Sequence, residues 1–510
     1  MEEMVAVFDF GSQYGQLIAR RVRELGVYCE MVRHDISKDE LLKLGPAAII
    51  LSGGPSSVFE PGHPRMDRHI LETGIPTLGI CYGMQLLAEI MGGIVEKGKE
   101  GEYGPGRIEV KDPTGLFRDM PSDLDVWMSH GDHVTKVPEG FRTIAGTPSC
   151  PISAMAKGKI YGIQFHPEVI HTPRGTDIIR NFLFTVASCR GEWTMGRFVD
   201  ESVKKIKDLV GNDNVICGLS GGVDSSVTAA LINRAIGDQM KAIFVDNGLL
   251  REKEVDEIRS MFTNDYPLNF RIVDAADLFL DELKGVADPE TKRKIIGKIF
   301  IDVFYGAASD VQGAKFLAQG TLYPDSIESR SAFGGPSSTI KSHHNVGGLP
   351  KDLKFELIEP LKELFKDEVR LLGKELGLPS RLLSRQPFPG PGLAVRLIGA
   401  ITREDLATLR GADLIMREEI ERYDKTMEIW QFFAVLLPVK SVGVMGDERT
   451  YANVVALRAV TSTDAMTADW ARIPYDVLGI ISSRIINEVK GVNRVVYDIS
   501  SKPPSTIEWE

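Results

Sequence analysis

The sequence predicts an α/β protein with two doubly wound parallel-sheet domains followed by a small C-terminal α+β domain. Three observations lead there. Short apolar runs alternate with helical patterns across residues 1–190. A second alternating series opens with a short apolar run, a glycine-rich turn and a helix start between Asn214 and Ile232. The alternation is lost after Arg385-Gln386-Pro387-Phe388-Pro389-Gly390-Pro391-Gly392, which is too rich in Pro and Gly for either period. The predicted domains are therefore 1–190, 191–386 and 387–510.

In the first domain Val5-Ala6-Val7-Phe8 reads as a strand that turns at Gly11-Ser12-Gln13 into a helix. That helix buries Ile18, Val22 and Leu25 and stops at Gly26, a natural left-handed terminator. Ala47–Leu51, Thr77–Ile80 and Ile160–Phe165 read as further strands, and a helix over Ile178–Val186 closes the domain before a linker at Gly191-Glu192-Trp193. The second domain starts with a helix over Phe198–Val210, then strands at Asn214–Leu219, Lys241–Asp246, Phe270–Val273 and Lys315–Gln319. Ser329–Pro350 has no hydrophobic period and reads as either a disordered segment or a mobile active-site lid. A helix carrying Phe365, Val369, Leu372 and Leu376 follows and ends at Gly377. The C-terminal part mixes helices such as Ile473–Val489 with strands such as Phe433–Val439 and Val492–Ile499.

A chain of 510 residues is too long for one core, and 43% hydrophobic with 26% charged residues is the balance of a soluble globular protein. No apolar run approaches the ~20 residues of a membrane span, and Met1-Glu2-Glu3-Met4 lacks the features of a secretory signal. Five cysteines without a Cys-x-x-Cys pair argue against a disulfide framework and against a zinc site. A cytoplasmic location is expected. A net charge of −11 disfavours nucleic acid as partner, so anionic ligands must be met by local donors.

Gly79-Ile80-Cys81-Tyr82-Gly83 sits where a strand becomes a helix. Small neighbours around a central nucleophile permit the sharp turn that exposes its side chain, and helix N-termini favour the thiolate form of cysteine. The strand at Ile160–Phe165 leads into His166-Pro167-Glu168. Beside Cys81, His166 would serve as base and then acid, with Glu168 orienting its ring. Cys29, Cys150, Cys189 and Cys217 have no such surroundings and read as structural.

Ser220-Gly221-Gly222-Val223-Asp224-Ser225-Ser226 is a glycine-rich turn between strand and helix, which aims backbone N–H groups and a positive dipole end at one spot. It lacks the Lys-Ser/Thr pair of a Walker loop and resembles the loop of enzymes that split ATP between its α- and β-phosphates. Mg²⁺ is the expected metal, with Asp224 the first candidate ligand and Asp325 and Glu328 the next. Val245-Asp246-Asn247-Gly248 ends the next strand, where nucleotides bind in open α/β sheets, so Val245 is placed against adenosine.

The elbow, the strand-end His and the Glu two residues on resemble the class I glutamine amidotransferase domain, and Ser52-Gly53-Gly54-Pro55 matches its oxyanion loop. That resemblance implies an oxyanion held by backbone N–H groups near Gly54 and at Tyr82. It also implies glutamine held by Gln85 and Ser129-His130-Gly131-Asp132, with Asp132 at the α-amino group. Over nearly its whole length the chain resembles the glutamine-hydrolysing GMP synthetase family. The matching segments are the Ser220–Ser226 loop, Ile340–Pro350, Pro387–Leu393 and Lys502-Pro503-Pro504-Ser505-Thr506-Ile507-Glu508-Trp509-Glu510. The resemblance implies ATP and glutamine as co-substrates, xanthosine 5′-monophosphate (XMP) as acceptor, and a homodimer formed through the third domain. It places Lys502 and Thr506 at the XMP phosphate, with Arg293 and Arg494 as further candidates, Glu508 in the same pocket, and Lys341 on the mobile loop.

Two other enzymes and one non-enzyme compete with this reading. A tRNA-thiolating enzyme needs an extra catalytic Cys, yet no cysteine follows Cys217. An NAD synthetase-like amidase would draw ammonia from a nitrilase-type domain, whose Glu-Lys-Cys arrangement is not found. A silent nucleotide-binding regulator is disfavoured by the intact Cys81, His166, Glu168 and loop.

Overall fold

A computed structural model describes residues 3–12, 14–325, 355–423, 429–445, 448–462 and 467–510. They form two compact units, one within residues 1–198 and one within residues 199–510.

The first unit is built on a nine-stranded sheet. Its strands are β1 (Met4–Asp9), β2 (Tyr28–Arg33), β3 (Ala48–Leu51), β4 (Thr77–Ile80), β5 (Ile94–Val110), β6 (Asp123–Lys136), β7 (Arg142–Gly146), β8 (Ala154–Lys157) and β9 (Ile160–Ile163). They lie in the order β2-β1-β3-β4-β9-β8-β7-β5-β6. From β2 to β9 every neighbouring pair is parallel. From β9 to β6 every pair is antiparallel. The expected parallel sheet is thus one half of a mixed one. Parallel neighbours need crossover helices, whereas short loops suffice between antiparallel strands, and the chain between β5 and β9 carries no α-helix.

The expected helix after β1 runs Gly15–Glu24, buries Ile18 and Val22, and passes into Gly26 at φ 76°. Strand β6 has its inward row at Leu124, Val126, Met128, His130, Asp132 and Val134. Two polar residues in that row hide its period of two, which is why β6 was not legible as a strand.

The second unit holds a five-stranded parallel sheet. It comprises β10 (Asn214–Leu219), β11 (Met240–Asp246), β12 (Phe270–Asp274), β13 (Ala314–Ala318) and β14 (Glu356–Ile358), ordered β12-β11-β10-β13-β14. The chain runs outward from β10 through β11 to β12, then returns to β10's other side as β13. The carboxyl end of β10 therefore lies at the switch point where ligands bind in open α/β sheets.

A four-stranded sheet completes the unit. In it β15 (Gln431–Met445), β16 (Glu448–Thr461) and β17 (Asp469–Trp470) run antiparallel, and β18 (Val492–Asp498) joins β16 in parallel. One apolar cluster runs from Ile216, Ile243 and Leu317 through Leu393 and Leu397 to Leu409, Leu457 and Ile485. Among the described residues, no helix is long and apolar enough to cross a membrane.

Two candidate active sites

Cys81 is the residue between β4 and the helix Tyr82–Ile90, and it sits at φ 52°, ψ −108°. For a non-glycine residue that conformation costs on the order of 1–3 kcal/mol and persists only where the surroundings enforce it. Enforcement comes from both sides. A Cβ on Gly79 would lie 2.6 Å from the Gly83 carbonyl oxygen, and one on Gly83 would lie 2.5 Å from that of Leu51. The amide of Cys81 donates to Ile163 O (2.8 Å) and that of Gly83 to Ser52 O (3.1 Å), tying the elbow to β9 and to the loop after β3.

His166 follows β9 and is buried, with its amide donating to Trp127 O and its carbonyl accepting from Thr172 Oγ1 at 2.6 Å. Its Nδ1 lies 2.7 Å from Oε1 of the fully buried Glu168. Burial opposes a charge on His166, but hydrogen bonds with Cys81 and Glu168 outweigh it and raise the imidazole well above its ordinary value. Tyr14 packs edge-on against the same ring. Cys81, His166 and Glu168 are therefore brought together as the sequence predicts.

Gly53 lies against this pair, since a Cβ there would sit 3.3 Å from His166 Cε1 and 3.8 Å from Cys81 Cβ. Gly54 packs on Phe10 and Tyr82. Among the described residues, the backbone N–H groups of Gly54 and Tyr82 have no acceptor, so both are available to an oxyanion.

Gln85 donates to the carbonyl of Asp132 at 2.8 Å, and the carbonyl of Ser129 lies 3.7 Å from the Cys81 sulfur. The Asp132 carboxylate accepts from Ser57, a residue of the loop after β3 that sequence reasoning passed over. Gln164 was missed too. Its Nε2 lies 3.7 Å from the Cys81 sulfur while its Oε1 is buried without a partner. The available signal was a fully buried amide in an otherwise apolar strand end. Cys29, Cys150, Cys189 and Cys217 are buried and form no disulfide.

In the second unit the turn after β10 opens the helix Val223–Ile236. Gly221 takes φ 77°, which favours glycine, and its carbonyl accepts from Arg385 Nη1 at 2.8 Å. Ser225 Oγ accepts from the Ser220 amide (3.1 Å), Ser220 Oγ accepts from the Gly222 amide, and Ser226 Oγ donates to Gly222 O. These bonds shape the turn and leave the amides of Val223, Asp224 and Ser225 without acceptors among the described residues. Three unspent donors at a helix N-terminus form an anion cradle.

The Asp224 carboxylate accepts from Lys366 Nζ (2.6 Å), and that of Asp325 from the Leu322 amide (3.1 Å). Among the described residues, neither falls in a group of three or more potential metal ligands. Glu328 and Lys341 lie outside the described residues. Val245 is buried at the end of β11.

Comparison with known proteins supplies the rest. The family model "Glutamine amidotransferase class-I" matches residues 6–186, "NAD synthase" residues 195–292 and "GMP synthase C terminal domain" residues 418–509. Curated proteins named "GMP synthase [glutamine-hydrolyzing]" align along the full chain. That of Geobacillus kaustophilus is 57% identical over 100% of both chains. Those of Bacillus subtilis and Dehalococcoides mccartyi are each 56% identical over 100% of this chain and 99% and 96% of their own. The chain belongs to the glutamine-hydrolysing GMP synthase family. The match to an NAD synthase model is confined to the ATP pyrophosphatase part, so it does not revive the rival reading.

In this GMP synthase family member the C-terminal tail is held by buried cations. Arg458, fully buried, donates to the carbonyls of Ser500 (2.6 Å) and Thr506 (3.1 Å). Arg396 grips the Glu508 carboxylate through Nε (3.1 Å) and Nη2 (2.8 Å), and Gln431 adds a third donor. Lys292 Nζ donates to Glu510 Oε2 and to the carbonyls of Ala394 and Leu397, while Arg293 donates to Glu510 O at 2.7 Å.

Glu508 and Arg293 are therefore occupied with holding the tail, as well as being candidates for XMP. Lys502 pairs with Ala468 through its backbone, Thr506 Oγ1 donates to the Glu508 carbonyl, and Arg494 lies exposed on β18. Lys292, Arg396 and Arg458 were missed. Isolated basic residues are far more often on the surface, and only the fold reveals that these three are buried.

Proposed function

We propose that Cys81 frees ammonia from glutamine and that the Ser220–Ser226 cradle holds the pyrophosphate of ATP while XMP is activated. The overall activity is that of the family: ATP-dependent amination of XMP to GMP, with ammonia from glutamine, through an adenylated XMP and with release of AMP and pyrophosphate. The observation that carries it is the assembled Cys81–His166–Glu168 centre in the same chain as an unspent anion cradle.

The Cys81 sulfur attacks the glutamine carboxamide carbon, and the oxyanion takes the N–H groups of Gly54 and Tyr82. His166, held by Glu168, gives its proton to the departing ammonia, then takes one from the water that releases glutamate. Gln85, Ser129, His130 and Asp132 orient the amino-acid end. In the second centre Ser220, Gly221, Gly222, Val223, Asp224, Ser225 and Ser226 surround the β- and γ-phosphates, and Val245 meets the adenosine. Arg293, Arg494, Lys502, Thr506 and Glu508 form the XMP end, to which the family resemblance also assigns Lys341.

The carboxylates of Asp224 and Asp325 are hard oxygen donors that suit Mg²⁺, which when bound neutralises the leaving pyrophosphate. The chain divides functionally at 190/191 and 386/387, and it works in the cytoplasm as a homodimer. Dimerisation is supported by apolar side chains left exposed in the C-terminal part, among them Val444, Tyr475 and Ile499.

Incubation with glutamine, Mg-ATP and XMP should yield GMP, AMP and pyrophosphate. No product with either glutamine or ammonium salt would overturn the reading in favour of a binding protein. Product with ammonium alone would assign a silent glutaminase.

A further inference from the structure

At the glutamine end of the first site, His130 also meets two side chains, Glu102 and Cys150, that glutamine hydrolysis does not use. Glu102 on β5, His130 on β6 and Cys150 after β7 bring one carboxylate oxygen, one imidazole nitrogen and the sulfur within 4.8 Å of one another. His130 and Cys150 are buried, and the Glu102 side chain is 20% exposed. His130 Nδ1 lies 3.1 Å from the Asp132 carbonyl oxygen, which can only accept, so Nδ1 carries the hydrogen. In the neutral ring Nε2 is then a lone pair, and it points at Glu102 Oε2, another acceptor, from 3.2 Å. A cation held at Nε2 and Oε2, with the Cys150 sulfur beside it, would satisfy both facing acceptors.

We propose that Glu102, His130 and Cys150 bind a thiophilic divalent cation, Zn²⁺ by the chemistry of the donor set, and that it clamps β5 and β6 beside the glutaminase centre. Tetrahedral zinc with N and O ligands at about 2.0–2.1 Å sets those ligands roughly 3.3 Å apart, which the 3.2 Å separation of Nε2 and Oε2 already meets. The sulfur needs a separation of about 3.6 Å from each, a rotamer-scale closure from within 4.8 Å. The surroundings match those of metal ligands. A ligating His typically donates its other N–H to a carbonyl, and a ligating carboxylate is itself hydrogen-bonded. Here Asp132 O fills the first role, while Ser149 and Thr147 donate to Glu102 Oε1. The Cys150 thiol gives up its proton to solvent on binding, no redox change occurs, and a water takes the fourth position. The absence of a Cys-x-x-Cys pair is no obstacle, because the three ligands come from distant parts of the chain.

The test uses the full-length protein, stripped with chelator and titrated with Zn²⁺ by calorimetry and with Co²⁺ by absorbance. The catalytic thiol is a competing ligand, so Cys81→Ser is compared with Cys150→Ser and with Glu102→Gln. Expected are one cation per chain and a sulfur-to-cobalt charge-transfer band that survive in Cys81→Ser. In Cys150→Ser the band disappears and affinity falls at least about tenfold, and in Glu102→Gln affinity falls with the band retained. No binding, or a band lost in Cys81→Ser and kept in Cys150→Ser, overturns the proposal. Should Cys150→Ser fail to fold, the Glu102→Gln titration decides, since an affinity equal to wild type would overturn it.

Discussion

At Cys81 the polypeptide finishes its own catalytic apparatus, whereas at Ser220–Ser226 it stops short and leaves donors unspent. The first centre is buried, with nucleophile and orienting carboxylate each meeting the base between them and two glycines enforcing the turn. The second is partly exposed, shaped by serine hydroxyls, and its Asp224 is paired with Lys366 at the surface. The difference follows from the chemistry. A thiol must be activated by fixed neighbours before substrate arrives, while a polyphosphate brings its own charge and needs only N–H groups held ready.

This contrast can be broken or sharpened by substitution. Cys81→Ala should lower glutamine-dependent synthesis by on the order of 10⁴-fold or more, by analogy with removal of other nucleophiles, while ammonium-dependent synthesis stays intact; comparing both nitrogen sources reads this directly. Asp224→Asn should depress synthesis from either source by on the order of 10³-fold, as loss of a metal ligand implies, and ammonium-dependent turnover near wild type would remove Asp224 from the metal.

Glu168→Gln should cost the glutaminase about 10²-fold or more, since the His166 ring loses its fixed orientation. It should also change stability against pH. The folded-state value of His166 is raised, so its contribution is fully present below the unfolded value of about 6.5 and is lost as pH rises through the folded one. With one raising partner removed, that loss should move to lower pH in thermal melts. The smallest effect is expected for Lys366→Gln. Its pair with Asp224 is 45% and 31% exposed, so stability should change by less than ~1 kcal/mol; a larger shift in denaturant titrations would mean the second centre is as rigid as the first.

What could be read from the chain alone was local. Gly79-Ile80-Cys81-Tyr82-Gly83 and Ser220–Ser226 are contiguous, and glycine spacing with flanking apolar runs dictates a turn whatever lies elsewhere. The strands bearing them were legible for the same reason, because parallel central strands are continuously apolar. What only the tertiary structure decided was long-range and polar. The inward row of β6 hides behind His130 and Asp132. Ser57 and Gln164 reach the first site from other elements. Lys292, Arg396 and Arg458 are interior residues with partners in the tail more than forty positions away. A residue's neighbours along the chain fix its backbone, but the partner that makes a buried charge tolerable is supplied by the fold.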